Sequence, residues 1–176
     1  MADYKKFYNR EQYLLEEVSS NFKKNGFLTA EEFFCIVIWK ANRSKSKIKA
    51  KLIRLFDKDI NQAVHKLTNG LSMQNNPKEK LRYLRSQCGF PLPMASAILT
   101  VLYPDDFTVY DVRVCNMLKD FHKLKNKTNF DKIWEGYEEF KKAVISAVPE
   151  EAILRDKDRY LWGKSFCEDL NGFLKK

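Results

Sequence analysis

Residues 84–118 read LRSQCGFPLPMASAILTVLYPDDFTVYDVRVCNML, and this stretch carries the clearest signals of a turn between helices. The glycine and prolines of residues 88–93 predict a tight turn between two helices. Small residues in the apolar helix that follows, at 94–103, allow it to pack closely against its neighbours. Pro104 ends that helix, and Asp111 is a suitable N-cap for the next one. The stretch therefore predicts a helical hairpin, a loop and a helix that an aspartate opens.

Helical signals continue on both sides of this stretch. Apolar residues recur at helical spacing in residues 4–24, and Thr29 and Glu32 form a capping box before an apolar helix. We expect the remaining helices at 45–56, 60–67, 78–88, 111–124, 130–148 and 151–174. The sequence thus predicts an all-α, two-lobed bundle of about nine or ten helices.

The length of the chain, 176 residues, fits a single domain over residues 1–176. We expect a central lobe at residues 30–124, with its hairpin at 88–93, and a second lobe formed by the N-terminal helix and residues 125–176. Asp111 should open onto a positively charged cleft between the lobes. The charged residues 156–159 are interpreted as a solvated face, with Trp162 in the core.

Charge is the first hint of function. The chain has 32 Lys and Arg against 23 Asp and Glu, a net charge of +9, and residues 43–54 hold six basic residues and no acidic one. Such an excess attracts polyanions and is typical of nucleic-acid binding, although solvated lysines alone would also produce it.

The sequence gives little indication of a metal site, a cofactor site or a membrane location. The four cysteines form no CxxC pair, and two histidines are too few for a His-rich metal site, so we expect reduced thiols and no metal or cofactor. No apolar run is long enough for a membrane span, and the N-terminus lacks an apolar signal core. We expect a cytoplasmic monomer, or a nuclear one in a eukaryote.

The hairpin and the aspartate suggest one chemistry together. A hairpin between helices can point backbone N–H groups at a DNA phosphate. The following helix of about eleven residues spans about 16 Å, close to the distance between a DNA backbone and a nucleotide pulled from it. A carboxylate at Asp111 could stabilise positive charge as the glycosidic bond of that nucleotide breaks.

Residues 88–118 resemble the core of the helix-hairpin-helix DNA glycosylase superfamily, which reads L-P-G-V-G-R-x-T-A, an apolar helix, and an aspartate that opens another helix. Gly89 aligns with the first hairpin glycine, Ala95 with the alanine of T-A, and Asp111 with the catalytic aspartate, without a gap. The resemblance implies a DNA base-excision repair enzyme that binds double-stranded DNA and takes Asp111 as its catalytic residue.

The resemblance also implies the remaining site residues. Trp39 and Tyr110 are base-pocket candidates, although each could instead be core packing. Arg113 could pair with Asp111, with a phosphate or with solvent. The expected DNA contacts are Gly89, Phe90, Leu92, Lys40, Asn42, Arg43, Lys45 and Arg113.

The positions at which the sequence departs from the family pattern limit the reactions and cofactors that we expect. Pro91 replaces the second hairpin glycine, and Pro93 stands where bifunctional members have a Schiff-base lysine, so we expect no lyase activity. Cys167 aligns with the first cluster cysteine of family members, but Leu174 stands at the second, so we expect no iron–sulfur cluster.

The sequence therefore predicts a monofunctional glycosylase that removes a damaged or modified base by Asp-assisted hydrolysis. Two alternatives remain open: a non-catalytic DNA-binding or lesion-sensing protein, which the hairpin prolines favour, and a helical protein-interaction domain.

Overall fold

The chain is helical throughout the part that a computed structural model describes, residues 4–151 and 153–175. Within these ranges every regular element is a helix and no strand occurs, so the prediction of an all-α protein is confirmed. The α-helices are α1 (Arg10–Tyr13), α2 (Ser19–Asn25), α3 (Ala30–Ala41), α4 (Lys45–Leu55), α5 (Ile60–Ser72), α6 (Pro77–Arg82), α7 (Leu92–Leu102), α8 (Val112–Leu118), α9 (Phe130–Ala147) and α10 (Leu154–Leu174). The division into two lobes stays a prediction.

Shorter helical segments join several of these elements. Leu14–Val18 and Tyr83–Gln87 are π-helical and continue α1 into α2 and α6 towards the hairpin, while Tyr4–Phe7, Asn42–Ser44 and Leu124–Asn126 are single 3-10 turns. None of the described helices is both long and apolar enough to cross a membrane.

Side-chain caps fix where the helices begin. The predicted capping box is confirmed, because Thr29 Oγ1 accepts from the Glu32 amide at 3.2 Å and Glu32 accepts from the Thr29 amide at 2.9 Å. The side chains of Asn76 and Asn129 cap α6 and α9, each by accepting a hydrogen bond from one backbone amide. Asp111 caps α8, whose start therefore lies where the sequence placed it.

The core surrounds α7. All of its residues from Met94 to Leu102 are buried, and it packs against α3, which buries Phe33, Ile36 and Val37. The small residues of α7, Ala95, Ser96 and Ala97, allow this close approach. The hairpin and the aspartate-capped helix are thus held at the two ends of a fully buried helix.

One helix is shorter than expected. The predicted helix at 111–124 ends at Leu118, because Lys119 and Phe121 adopt positive φ angles of 56° and 71°. This left-handed backbone breaks the helical hydrogen bonds. The Tyr110 hydroxyl donates to the carbonyl of Phe121 at 2.6 Å and ties the resulting loop to the core.

The N-terminal segment contacts the first turn of the last helix. α10 packs against α8 and α9, and Arg155 near its start donates to Glu11 of α1, with Nε at 2.9 Å from Oε1. This contact joins the N-terminal segment to the C-terminal helix.

Candidate active site

Asp111 forms an ion pair with a lysine from another helix. Lys40, in the last turn of α3, places its Nζ 2.6 Å from Asp111 Oδ2, and the two side chains are only 10% and 22% exposed. The other carboxylate oxygen of Asp111 accepts from the Arg113 amide at 3.0 Å. Capping and ion pairing therefore use different oxygens of one carboxylate.

The protonation state of Asp111 follows from these contacts. Burial raises the pKa of Asp111, but the charge and hydrogen bond of Lys40, followed by the amide and charge of Arg113, outweigh it. The pKa therefore lies below its ordinary value of 3.8, and Asp111 is ionised at neutral pH.

An extended, buried segment positions Asp111. The Thr108 amide donates to the Tyr137 hydroxyl at 3.0 Å, and that hydroxyl donates to the Thr108 carbonyl at 2.6 Å. The Tyr110 amide donates to Ser96 Oγ of α7 at 3.0 Å. Because core helices satisfy each of these groups, the backbone leading into Asp111 is fixed.

The same segment is bound to α10 through a buried aspartate. Asp158, 1% exposed, accepts from the Thr108 hydroxyl at 2.8 Å and from the Val109 amide at 3.1 Å, and it pairs with Arg155. Arg155 also pairs with Glu11. A chain of buried and half-buried charges thus connects α1, α10 and the segment before Asp111.

Asp111 and Trp39 open onto one cavity of about 530 Å³. The Arg155 guanidinium stacks 5.3 Å from the centre of the Trp39 ring. Among the described residues, the lining holds as many cations as carboxylates, so the positive cleft that we expected is not found here. The lining residues are Glu11, Trp39, Lys40, Val109, Asp111, Val114, Arg155, Asp158, Arg159 and Trp162.

A smaller cavity of about 250 Å³ adjoins the first. Lys40 and Asp111 line both of them, and Pro93, Tyr110 and Lys125 line only the smaller one. The Lys40–Asp111 pair therefore lies between the two cavities.

An aromatic surface lies beside the larger cavity. Trp162 and Phe166 of α10 stack with ring centres 5.8 Å apart. The Arg113 guanidinium lies 5.2 Å from Trp162 and donates to Asp169 at 2.6 Å. Trp162 is 44% exposed, so its predicted place in the core is wrong.

The charges before Trp162 are also placed differently from our expectation. Lys157 and Asp158 are buried, because the first turns of α10 pack beneath the segment that leads to Asp111. Their burial is tolerated because each has a partner: Lys157 donates to the Val148 carbonyl at 2.5 Å, and Asp158 faces Arg155. The predicted solvated face is therefore wrong at these two positions.

Two basic side chains donate hydrogen bonds to backbone carbonyls of the hairpin. Gly89 has a φ of 66°, a left-handed conformation that favours glycine, and its carbonyl accepts from Lys51 of α4. Arg85 donates to the Phe90 carbonyl at 2.8 Å. Phe90 and Leu92 are 0% and 1% exposed, so neither residue presents a surface to a ligand in this structure.

The other expected DNA contacts lie at the end of α3 and the start of α4. Asn42, Arg43 and Lys45 are exposed, and Lys45 donates to Asn42 at 2.7 Å. Tyr110 is 2% exposed, and burial raises its pKa, so the hydroxyl stays protonated and serves the Phe121 carbonyl. The Tyr110 side chain is therefore packed mainly in the core.

The sequence did not indicate that residues of α1 and α10 line the cavity. Glu11, Arg155 and Arg159 have no motif around them, and only the alternating charges of residues 155–159 gave a signal. In the described part of the chain, no group of His, Cys, Asp and Glu side chains is arranged to hold a metal ion. No protein-family model, curated protein or solved structure matches the chain.

Proposed function

We propose that the protein is a monofunctional DNA glycosylase that removes a damaged or modified base by hydrolysis, with Asp111 as the catalytic residue. The observation that carries this proposal is the ionised Asp111 carboxylate opening onto the same 530 Å³ cavity as Trp39 and Trp162. The finer fold assignment, a helix-hairpin-helix core, is part of the same proposal.

The cavity suits an extruded nucleotide. Binding pockets for small molecules usually enclose about 300–1,000 Å³ and combine apolar walls with a few polar groups. Two indole rings, Trp39 and Trp162, offer faces for a base, and stacking of a base on an aromatic ring contributes about 1–3 kcal/mol. Arg155, Arg159 and Glu11 supply hydrogen-bonding groups for its edge.

Asp111 has the chemistry that base release requires. As the glycosidic bond breaks, positive charge develops on the sugar, and a fixed carboxylate beside it lowers the barrier. The same carboxylate can orient water for attack on C1′. The low pKa of Asp111 keeps it ionised for both roles at neutral pH.

A basic helix, α4, contacts the turn at Gly89. Lys47 and Lys49 of α4 are exposed, and Lys51 of the same helix contacts the hairpin at Gly89. The amide of Gly89, an exposed residue, donates to no other group in the described part of the chain, which leaves one N–H group for a phosphate. Such contacts bind duplex DNA without reading its sequence.

A second candidate function is a lesion-sensing protein that binds DNA without chemistry. Pro91 and Pro93 remove two amides from the hairpin, and Lys51 covers the Gly89 carbonyl. These features weaken the phosphate contact that positions a duplex for catalysis.

Base release from a panel of duplexes, each with one modified base, tests the proposal. Products are scored as alkali-labile sites, and the wild type is compared with Asp111→Asn. Asp169→Asn is the matched control, because it makes the same change at an exposed acid on α10.

We expect release of at least one base by the wild type and by Asp169→Asn, and none by Asp111→Asn. DNA affinity of Asp111→Asn should be equal or higher, because a negative charge near the phosphates is removed. An unimpaired Asp111→Asn would contradict the role of the carboxylate. Binding to the lesion duplexes without any base release would favour the lesion-sensing protein.

A further inference from the structure

The smaller cavity beside the Lys40–Asp111 pair has a basic lining that base release does not require. His122 and Lys125 line it, and Asp111 is its only acid among the described residues. Lys40 already pairs with Asp111 at 2.6 Å, so this pair adds no net charge to the cavity. His122 and Lys125 therefore make the cavity attractive to an anion.

An unusual backbone holds these two residues at the cavity. Phe121, directly before His122, has a φ of 71°, which is rare for a bulky side chain. Its carbonyl accepts from the Tyr110 hydroxyl at 2.6 Å and from the Leu124 amide at 2.9 Å, and Lys125 follows in a 3-10 turn. Strained backbone that its surroundings hold in place is a feature of binding sites. The turn thus fixes His122 and Lys125 beside Tyr110, which lines the same cavity.

A contact with α8 orients the His122 ring. Its Nε2 lies 2.7 Å from Oδ1 of Asn116, to which it donates a hydrogen bond. This leaves Nδ1 for a ligand, and an imidazole beside an anion takes up a proton there near neutral pH. The Lys125 side chain is exposed, and Asp111 at the same cavity is already held by Lys40. Both side chains are thus available to an anion in the cavity.

The charge of these two side chains matches a phosphate monoester. Such a group carries about two negative charges at neutral pH, whereas each phosphodiester of DNA carries one. Lys125 and a protonated His122 supply two positive charges to the lining. Because charge-assisted hydrogen bonds are the strong ones, the cavity favours a terminal phosphate over the backbone of a DNA strand.

The relation of the two cavities matches the layout of a nucleotide. A sugar joins the base of a nucleotide to its phosphate, and the Lys40–Asp111 pair likewise lies between the larger cavity and the smaller one. Trp39 and Trp162 offer indole faces for a base in the larger cavity. Among the described residues its lining holds as many cations as carboxylates, so the larger cavity does not compete for the phosphate.

We propose that the two cavities form one binding site for a free nucleoside monophosphate, with its phosphate at His122 and Lys125 and its base at Trp39 and Trp162. The position of the base rests on the proposed function, which places an extruded base in the same cavity. The phosphate site rests on the loop after α8 alone. A free nucleotide ends in a monoester and needs no contact outside the two cavities, so it binds without the surface that a duplex requires.

Isothermal titration calorimetry tests the inference. The wild type is titrated with each of the four common 2′-deoxynucleoside 5′-monophosphates, with the corresponding nucleosides and with inorganic phosphate. Methyl esters of the same monophosphates are included, because they carry the single charge of a DNA phosphate. The variants are Lys125→Gln and His122→Gln. Lys123→Gln is the matched control, because Lys123 is an exposed lysine of the same loop that lines neither cavity.

At least one monophosphate should bind the wild type about tenfold or more tightly than its nucleoside, its methyl ester and inorganic phosphate, because hydrogen bonds to a doubly charged group are strong. Lys125→Gln and His122→Gln should remove most of this preference and leave the nucleoside affinity and the thermal midpoint unchanged. Lys123→Gln should bind as the wild type does. No preference for any monophosphate over its nucleoside or methyl ester, equally tight binding of inorganic phosphate, or equal losses in Lys123→Gln and Lys125→Gln would overturn the inference.

The outcome is separable from that of the proposed function. Base release from a duplex without preferential binding of a monophosphate would leave the glycosylase and remove this site. Tight monophosphate binding that depends on Lys125, with no base release from any duplex in the panel, would support the site and contradict the glycosylase.

Discussion

Replacing Asp158 with asparagine should destabilise the protein by about 3 kcal/mol, because it breaks a buried ion pair. Asp158 is 1% exposed, faces Arg155, and accepts hydrogen bonds from Thr108 and Val109. Removing one partner of a buried pair costs about 3–5 kcal/mol. We expect the lower end, because asparagine keeps one oxygen for these donors and Arg155 keeps Glu11.

Thermal unfolding, followed by far-ultraviolet circular dichroism, measures this loss. In a chain of this length 1 kcal/mol changes Tm by about 2–4 °C, so the expected decrease is about 6–12 °C. Asp169→Asn is the control, because its pair with Arg113 is exposed and contributes less than about 1 kcal/mol. A decrease for Asp158→Asn no larger than that of the control would refute the view that this pair anchors the segment before Asp111.

Three further predictions concern the DNA surface, the ion pair and the hairpin. Affinity for duplex DNA should fall at least about tenfold between about 50 and 200 mM salt. The double variant Lys47→Gln, Lys49→Gln should reduce the slope of log affinity against log salt concentration by about two. An affinity independent of salt would contradict phosphate binding. The pKa of Asp111 is lowered on folding, so its carboxylate stabilises the protein above pH 3.8 and loses this effect as the pH falls through the folded pKa. Denaturation midpoints of the wild type and Asp111→Asn should thus differ at neutral pH and converge as the pH falls below 3.8, and a constant difference would contradict the ion pair. Gly89→Ala should cost about 1–2 kcal/mol in urea unfolding, because φ is 66° and the new Cβ would lie 3.0 Å from Lys51 Nζ; an unchanged midpoint would mean that the turn relaxes freely.

Local sequence patterns were sufficient to predict most of the helices and the caps that begin α3 and α8. Helical periodicity, the Thr29 capping box and the cap at Asp111 are local features, because each depends on residues within about one helical turn. For the same reason the turn at Gly89 was predictable from its glycine and prolines. The early end of α8 was not predictable from local sequence. The positive φ angles of Lys119 and Phe121 lie in a loop whose Phe121 carbonyl accepts a hydrogen bond from the Tyr110 hydroxyl, which is a tertiary contact.

Only the tertiary structure decided which side chains meet at the site. Lys40 and Asp111 are 71 residues apart, and Glu11 and Arg155 are 144 residues apart, so no local spacing relates the members of either pair. Sequence reasoning took Lys40 as a contact to DNA and residues 156–159 as a solvated face. Packing of α10 against α8 and the segment before Asp111 buries Asp158 instead, and a charge is buried where a partner from a distant part of the chain neutralises it.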